Sequence, residues 1–230
     1  MRSSGAVLVT DGFVFLHVPK TGGTFIHNVL SSHLSGIDHR AIGKRSHVTY
    51  RELRPEWRHR PVFCVVRNPW DWYVSWFSYQ AYRRQRPTDD EPKWFRGLRR
   101  GRVPFKEAVT RLCIGDFNHR LVPLMHEEGI DFCSAHVRSI GGEGLDQPNF
   151  TVLRYELLRD GLLGFLREHI AVPPGLAAAI RHSPPVRVSK RGPYPDYYDA
   201  ELAELVGEKA SWLCERFGYS FEGSQPISHP

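Results

Sequence analysis

The sequence predicts an α/β fold in which helices flank a central parallel sheet. Three short runs of apolar, β-branched and aromatic residues have the composition of buried strands. Each run is followed by a segment whose apolar residues recur at helical spacing. The predicted strands are Phe13–Val18, 61–66 and 149–155. Strands that alternate with helices form parallel sheets, and such sheets bind ligands at the carboxyl ends of their strands.

Each predicted strand leads into a predicted helix. Pro19 ends the first strand, and the small-residue turn PKTGG separates it from the first helix. Asn68 is the predicted N-cap of the second helix, and Pro69 is its first residue. Gly218 ends the last helix. The predicted helices cover 24–34, 68–82, 156–170 and a terminal stretch that begins near Pro195.

Length and composition describe an ordinary globular protein. The 230 residues suffice for one compact domain with a sizeable core, so we expect a single domain over 1–230. Hydrophobic residues make up 41% and charged residues 24% of the chain, which excludes a disordered, collagen-like or fibrous protein.

The chain is basic. Lys and Arg number 31 against 25 Asp and Glu, which gives a net charge of +6 with neutral histidines. This excess favours an anionic partner, such as a nucleic acid, a phosphorylated cofactor or an acidic glycan, and does not choose among them. Residues 83–102 contain eight Lys and Arg residues together with Pro87 and Pro92, and the alternation of strands and helices breaks there, so we expect a basic surface insertion.

The cysteines and the N-terminus predict the compartment. The cysteines lie far apart without a CxxC pair, which argues against a zinc ribbon or a disulfide framework and fits a reducing cytosol. The apolar N-terminal stretch is interrupted by Asp11 and Gly12 and is too short to span a bilayer. We therefore expect a cytoplasmic protein without a membrane anchor. The cysteines are Cys64, Cys113, Cys133 and Cys214.

The motif HVPKTGGT, from His17 to Thr24, lies between the first predicted strand and helix. A turn at a helix N-terminus presents backbone N–H groups and the positive end of the helix dipole, and glycines let an anion approach closely. Lys20 adds a positive charge and Thr24 a hydroxyl, so the motif predicts a phosphate cradle. It is not a Walker A loop, because Lys20 precedes Gly22 and Gly23. The alternative is a glycine-containing turn with a solvated Lys20.

A second motif, VVRNPWDWYVS, contains Arg67 at the end of the second predicted strand. Ser75 follows about two turns up the next helix. An Arg at a strand end can fork onto a phosphate, and a Ser on the facing side of the helix can complete the site. The motif therefore predicts a second phosphate site. The alternative is that Arg67 caps a helix or pairs with Asp71.

The two motifs resemble those of the sulfotransferases that use 3′-phosphoadenosine 5′-phosphosulfate (PAPS). HVPKTGGT is similar to that family's loop for the 5′-phosphosulfate, and VVRNPWDWYVS is similar to its 3′-phosphate motif. The variant is more similar to the carbohydrate branch, which includes heparan sulfate 2-O-sulfotransferase, than to the aryl and steroid enzymes. VLRYELL at 152–158 and the terminal YYDAELAELVGEKASWLCERFGYSF also resemble the family, whereas 83–148 match least well. The resemblance implies a three-layer, P-loop-kinase-like fold.

The resemblance assigns roles to the first motif. Lys20 would contact the 5′-phosphate and the bridging oxygen of PAPS. Phe25 stands where some relatives place an aromatic ring against adenine, and the alternative is a core residue. Backbone and hydroxyl donors would come from Thr21, Gly22, Gly23 and Thr24.

The resemblance also assigns the second phosphate. Arg67 and Ser75 would hold the 3′-phosphate. Lys190 and Arg191 in SKRG are similar to a basic segment that closes over this phosphate in some members, and the alternative is a solvated loop. Trp72 departs from the family, because relatives commonly have Arg at this place.

The transfer chemistry needs a base. An in-line displacement at sulfur requires a base on the acceptor hydroxyl and positive charge at the leaving oxygen, and no metal in principle. Lys20 suits the second task. We predict His47 as the base, because imidazole works near neutral pH and His47 lies between the motifs, at a place similar to that of the family's catalytic His. The alternatives are a capping or solvated His47, or a Glu base; His17 and His136 are weaker candidates.

The resemblance implies a transferase, a PAPS-dependent sulfotransferase that modifies a hydroxyl of a saccharide or small natural product and releases adenosine 3′,5′-bisphosphate. The acceptor and the oligomeric state stay open. A nucleotide-dependent kinase is the alternative enzyme, but it needs Mg²⁺ ligands that VVRN at the second strand end does not offer. A basic nucleic-acid-binding module around Trp94 to Arg102 is the alternative from another class. Motifs of such modules are absent, so we expect no nucleic-acid partner.

Overall fold

The computed structural model of the chain describes residues 7–38, 47–81, 93–186 and 191–224. The strands in these ranges are β1 (Leu8–Val9), β2 (Val14–Leu16), β3 (Val62–Val66), β4 (Phe150–Arg154), β5 (Tyr219–Ser220) and β6 (Gly223–Ser224). The helices are α1 (Gly23–His33), α2 (Pro55–Arg58), α3 (Pro69–Ala81), α4 (Lys93–Arg99), α5 (Phe105–Ile114), α6 (Val122–Glu128), α7 (Phe132–Gly141), α8 (Leu158–His169), α9 (Pro174–His182), α10 (Ala200–Lys209) and α11 (Ser211–Phe217). Short 3₁₀ helices cover Tyr50–Glu52, Gly142–Asp146, Tyr155–Leu157 and Tyr194–Tyr197.

The main sheet of the described residues has the strand order β1-β2-β3-β4. β2, β3 and β4 are parallel, with Phe15 opposite Phe63 and Phe63 opposite Thr151. β1 is antiparallel to β2, because a tight turn joins them. In that turn the Thr10 hydroxyl oxygen accepts the N–H of Phe13 at 2.9 Å. The predicted parallel sheet is confirmed for β2 to β4, and β1 adds an antiparallel edge that the sequence analysis did not predict.

The predicted helices are present, and the last one differs from the prediction. The terminal helix is divided into α10 and α11. The carboxylate of Asp199 accepts the N–H of Leu202 at 2.8 Å, so it caps α10 and places its first turn after the predicted start. α10 ends at Lys209, whose carbonyl accepts the N–H of Asp131 at 2.9 Å. Gly218 ends α11 with a φ of 65°, as predicted.

Contacts divide the chain into two compact units. The described residues of Met1–Arg67 and Val137–Val188 form unit 1, and those of Asn68–His136 and Ser189–Pro230 form unit 2. Unit 1 contains the main sheet with α1, α8 and α9. Its core centres on Phe63 of β3, whose ring lies 4.9 Å from that of Phe15 and 4.6 Å from that of Phe165 in α8. Every residue of β3 is buried, so the strand is covered on both faces.

Unit 2 has an aromatic core built on α3. Asn68 caps this helix as predicted, since its side-chain oxygen accepts the N–H of Trp70 at 3.1 Å. The fully buried Trp72 ring lies 6.1 Å from Phe132, in edge-to-face contact. The buried carboxylate of Asp131 accepts the hydroxyl of Tyr73 at 2.7 Å, and burial raises the pKa of both groups.

The predicted basic insertion near 83–102 lies partly outside the described residues. Its described part contains α4, in which Leu98 is fully buried and the ring of Trp94 lies 6.5 Å from that of Trp76. Arg100 and Arg102 are exposed. This part of the segment therefore contributes apolar side chains to the core of unit 2 and displays arginines to solvent.

Candidate functional site

The motif HVPKTGGT forms the turn between β2 and α1. Thr21 is buried, and its hydroxyl donates to the carbonyl of Val18 at 2.7 Å, which closes the turn. Lys20 and Gly22 have left-handed backbone conformations, with φ of 67° and 83°. Glycine adopts this conformation without penalty, whereas for Lys20 it is a local strain. The turn is therefore a specific, closed loop that ends at Gly22, the N-cap of α1.

The start of α1 presents backbone donors. The N–H of Phe25 bonds to the carbonyl of Gly22 at 2.9 Å. Within the described ranges, the N–H groups of Gly23 and Thr24 have no acceptor. A Cβ on Gly23 would lie 2.1 Å from the ring of His17, so a larger residue there would require the ring or the start of α1 to move. Bare N–H groups at the positive end of a helix are suited to an anion.

Arg67 of the second motif lies beside this loop. It follows β3, which neighbours β2, and it is only 5% exposed. Its Nη1 donates to the carbonyl of Lys20 at 2.9 Å. Its guanidinium carbon lies 4.0 Å from the ring centre of Tyr155. The structure thus brings together Lys20 and Arg67, two of the four basic residues that the sequence analysis assigned to phosphates.

His47 lies beside His17, the first residue of the motif HVPKTGGT. Its Nδ1 is 3.1 Å from the carbonyl of His17, and the two imidazole centres are 5.2 Å apart. A carbonyl oxygen only accepts, so Nδ1 carries the proton and Nε2 is the basic nitrogen of the neutral ring. The residue predicted as base is therefore next to the predicted cradle in unit 1.

Two residues of this region were missed from the sequence. Tyr155 contacts Arg67, and it also borders Gly22, on which a Cβ would lie 3.3 Å from the Tyr155 ring. Arg159 lies 4.8 Å over the ring of Phe25 and donates to the carbonyl of Ser183 at 2.6 Å. Both residues follow the carboxyl end of β4, the strand beside β3. Because ligands bind at the carboxyl ends of parallel strands, this position in the sequence could have indicated them as site residues.

Phe25 lies in the hydrophobic core of unit 1 and is 6% exposed. Its backbone belongs to the first turn of α1, and its ring faces Arg159. This position agrees with the alternative interpretation, in which Phe25 is a core residue. Contact with adenine stays a prediction.

The remaining predicted residues belong to unit 2. Ser75 lies in α3 and is 6% exposed. Arg191 donates from Nη2 to the carboxylate of Asp71, and both side chains are 16% exposed. Lys190 lies outside the described residues. Roles of Ser75, Lys190 and Arg191 in phosphate binding stay predictions.

Three further features of the described residues concern membranes, metals and thiols. Across 7–38, 47–81, 93–186 and 191–224, no helix combines the length and apolarity that crossing a bilayer requires. The same ranges hold no group of three or more His, Cys, Asp or Glu side chains placed to bind a metal ion. Burial raises the pKa of the Cys64 thiol to about 12, so this thiol stays protonated at neutral pH.

The described residues have a P-loop-kinase-like α/β fold, with a central sheet flanked by helices. A similar solved structure is the mouse sulfotransferase SULT7A1 complexed with PAP, with a TM-score of 0.52 and 18% sequence identity over 87% of this chain and 83% of that chain. At this identity the similarity shows the fold alone, and it gives no support to the predicted 2-O-sulfotransferase branch. None of the protein-family models matches the sequence, and neither does any curated protein.

Proposed function

We propose that the chain is a PAPS-dependent sulfotransferase that modifies a hydroxyl of a saccharide or small natural product. The observation that carries this proposal is the hydrogen bond from Arg67 to the carbonyl of Lys20. It joins the two motifs that the sequence assigned to the two phosphates of one nucleotide. The likeness to a mouse sulfotransferase solved with PAP supports the same nucleotide class.

The loop in unit 1 fits a phosphate. The N–H groups of Gly23 and Thr24 are available, and the ring of His17 occupies the place of a Cβ on Gly23. Thr21 would contribute its backbone N–H alone, because its hydroxyl is bonded to the carbonyl of Val18. The hydroxyl of Thr24 would be the side-chain donor. The 5′ end of PAPS would thus be held by backbone groups and the ammonium of Lys20.

A second phosphate requires a second set of donors. Arg67 supplies a planar set of N–H groups, one of which is bonded to the carbonyl of Lys20. Ser75, Lys190 and Arg191 are the further contacts that the resemblance implies.

PAPS would supply an activated sulfuryl group for in-line attack by the acceptor hydroxyl. His47 accepts the hydroxyl proton at Nε2 while its Nδ1–H stays bonded to the carbonyl of His17. The ammonium of Lys20 stabilises the negative charge on the departing phosphate oxygen. Each of these roles uses a group that the described loop region contains.

The test is calorimetric titration of adenosine 3′,5′-bisphosphate without Mg²⁺. We expect binding by the wild type and a loss of about tenfold or more in Lys20→Ala and in Arg67→Ala, because each removes a charged phosphate donor. Arg181→Ala is the matched control, since it removes an exposed positive charge of unit 1 at the end of α9. Binding of ATP that depends on Mg²⁺, without binding of the bisphosphate, would instead favour a kinase.

A further inference from the structure

We infer that Tyr155 is a positioning residue that holds Arg67 ready for a phosphate. The inference rests on the proposed function, because it assigns Arg67 to the 3′-phosphate. Tyr155 begins a 3₁₀ helix directly after β4, and it belongs to unit 1 together with Arg67 and Lys20. Tyr155 is distant from both motifs in the sequence. The parallel pairing of β3 with β4 brings it close to Arg67.

Contacts with Tyr155 and Lys20 restrict the guanidinium of Arg67. Its central carbon lies over the Tyr155 ring, 4.0 Å from the ring centre, and Nη1 donates to the carbonyl of Lys20 at 2.9 Å. The contact with the ring is a cation–π interaction, which attracts the guanidinium without a hydrogen-bond acceptor. Together the two contacts limit where the guanidinium lies.

Burial strengthens this effect. Arg67 is only 5% exposed, so its attraction to the π-face of Tyr155 is less screened by water than that of a surface pair. Arginine has many rotamers, and a ligand that must order a mobile arginine binds more weakly. Tyr155 performs that ordering before a ligand arrives.

The same ring supports the loop. A Cβ on Gly22 would approach the Tyr155 ring to 3.3 Å, so the ring packs directly against the N-cap of α1. A substitution at Tyr155 can therefore act on Arg67 or on the loop. The experiment has to separate these two effects.

The experiment compares Tyr155→Leu with Tyr155→Phe in calorimetric titrations of adenosine 3′,5′-bisphosphate and adenosine 5′-monophosphate. Leu keeps apolar bulk beside Gly22 but lacks a π-face, whereas Phe keeps the face and lacks only the hydroxyl. We expect Tyr155→Leu to weaken bisphosphate binding about three- to thirtyfold and monophosphate binding less than about twofold. Tyr155→Phe should stay within about twofold of the wild type for both ligands.

Arg67→Ala provides the reference background. If Tyr155 acts through Arg67, Tyr155→Leu has little further effect on bisphosphate binding once Arg67 is Ala. A spectroscopic readout independent of ligand is the side-chain N–H resonance of Arg67, which the ring current of an overlying aromatic shifts. We expect that shift in the wild type and in Tyr155→Phe and its loss in Tyr155→Leu.

The outcomes separate the inference from the proposed function. Equal weakening of both ligands by Tyr155→Leu, or an undiminished effect in the Arg67→Ala background, would overturn the inference and assign the ring to loop packing. Unchanged binding in Tyr155→Leu, with a wild type that prefers the bisphosphate, would overturn the inference alone. A wild type that binds neither ligand, or both equally, would overturn the two-phosphate site and the inference with it.

Discussion

The Nδ1–H of His47 donates to the backbone carbonyl of His17 at 3.1 Å. This bond joins the predicted base to the first residue of the motif HVPKTGGT, and it assigns the proton of the neutral ring to Nδ1. The acceptor is a main-chain atom, so it is present whatever side chain occupies position 17. The tautomer of His47 is therefore set by the path of the backbone as it leaves β2.

Replacement of His47 by Gln is expected to slow sulfuryl transfer by about 10²–10⁴-fold, the usual loss when a general base is removed. Binding of adenosine 3′,5′-bisphosphate should change by less than about twofold if His47 acts on the acceptor alone. The measurements are turnover with a hydroxyl acceptor that the wild type modifies and calorimetric titration of the bisphosphate. His59→Gln, an exposed histidine of unit 1, is the control. A variant that loses nucleotide binding and rate to the same extent would speak against a base.

Replacement of Gly23 by Ala is expected to disrupt the loop. The new Cβ would lie 2.1 Å from the ring of His17, so either the ring or the start of α1 must move. We expect a loss of about 1–3 kcal/mol in the free energy of unfolding and weaker bisphosphate binding. Urea denaturation and calorimetry measure the two effects.

A matched control for this change is Gly164→Ala in α8, where a Cβ meets nothing within 4 Å. Ala in a helix interior is favoured over Gly, so this variant should gain about 0.5–1 kcal/mol. The double variant His17→Ala with Gly23→Ala should regain part of the lost stability, because the obstructing ring is removed. Without such recovery, contact with His17 is not the cause of the loss.

The loop and its arginine were predictable because their signals are local. PKTGG stands between a buried strand and an amphipathic segment, and Arg67 ends a buried strand. Because each follows a predicted strand in the sequence, the PKTGG turn and Arg67 are both predicted at carboxyl ends of strands. Their direct contact through the carbonyl of Lys20 depends on β2 and β3 being neighbours, which the alternation of strands and helices favoured but did not specify.

Tyr155 and the division of the last helix could not be predicted in the same way. The contact of Tyr155 with Arg67 depends on the register of β4 against β3, where Arg154 lies opposite Val66. At the end of α10 the carbonyl of Lys209 accepts a bond from the distant N–H of Asp131. Both are long-range relationships with no periodic pattern in the sequence.

The surroundings of Trp72 give a physical reason for a Trp at the place where the resemblance implies an Arg. Its ring is fully buried in unit 2 and lies 6.4 Å from Trp76 and 6.1 Å from Phe132. We expect Trp72→Phe to lower the free energy of unfolding by about 1–2 kcal/mol through the lost volume. Trp72→Arg, which introduces the residue that the resemblance implies at this place, should cost about 4 kcal/mol or more, because it buries a charge in an apolar cluster. Urea denaturation measures both, and an Arg variant as stable as the Phe variant would contradict this account of the position.

His119 predicts a pH dependence of stability. Burial, and secondly the charge of Arg120, lower the pKa of His119 from its ordinary 6.5 to about 4. Its Nδ1 accepts the N–H of Leu121 at 3.2 Å, which also requires an unprotonated Nδ1. Between pH 6.5 and 4 the unfolded chain therefore binds a proton at this site that the folded chain does not, so stability is present above pH 6.5 and is lost as the pH falls toward 4.

The measurement compares urea denaturation at pH 7 and pH 5 in the wild type and in His119→Asn. Asn keeps an acceptor near the N–H of Leu121 and cannot take up a proton in this range. The informative quantity is the difference between the two proteins in the stability lost from pH 7 to pH 5, because effects of all other groups are common to both. We expect the wild type to lose on the order of 1 kcal/mol more than the variant, a value reduced for the partial exposure of the ring. His182→Asn, an exposed histidine of α9, should lose as much as the wild type. An equal loss in His119→Asn would mean that the ring of His119 can be protonated without cost in the folded chain.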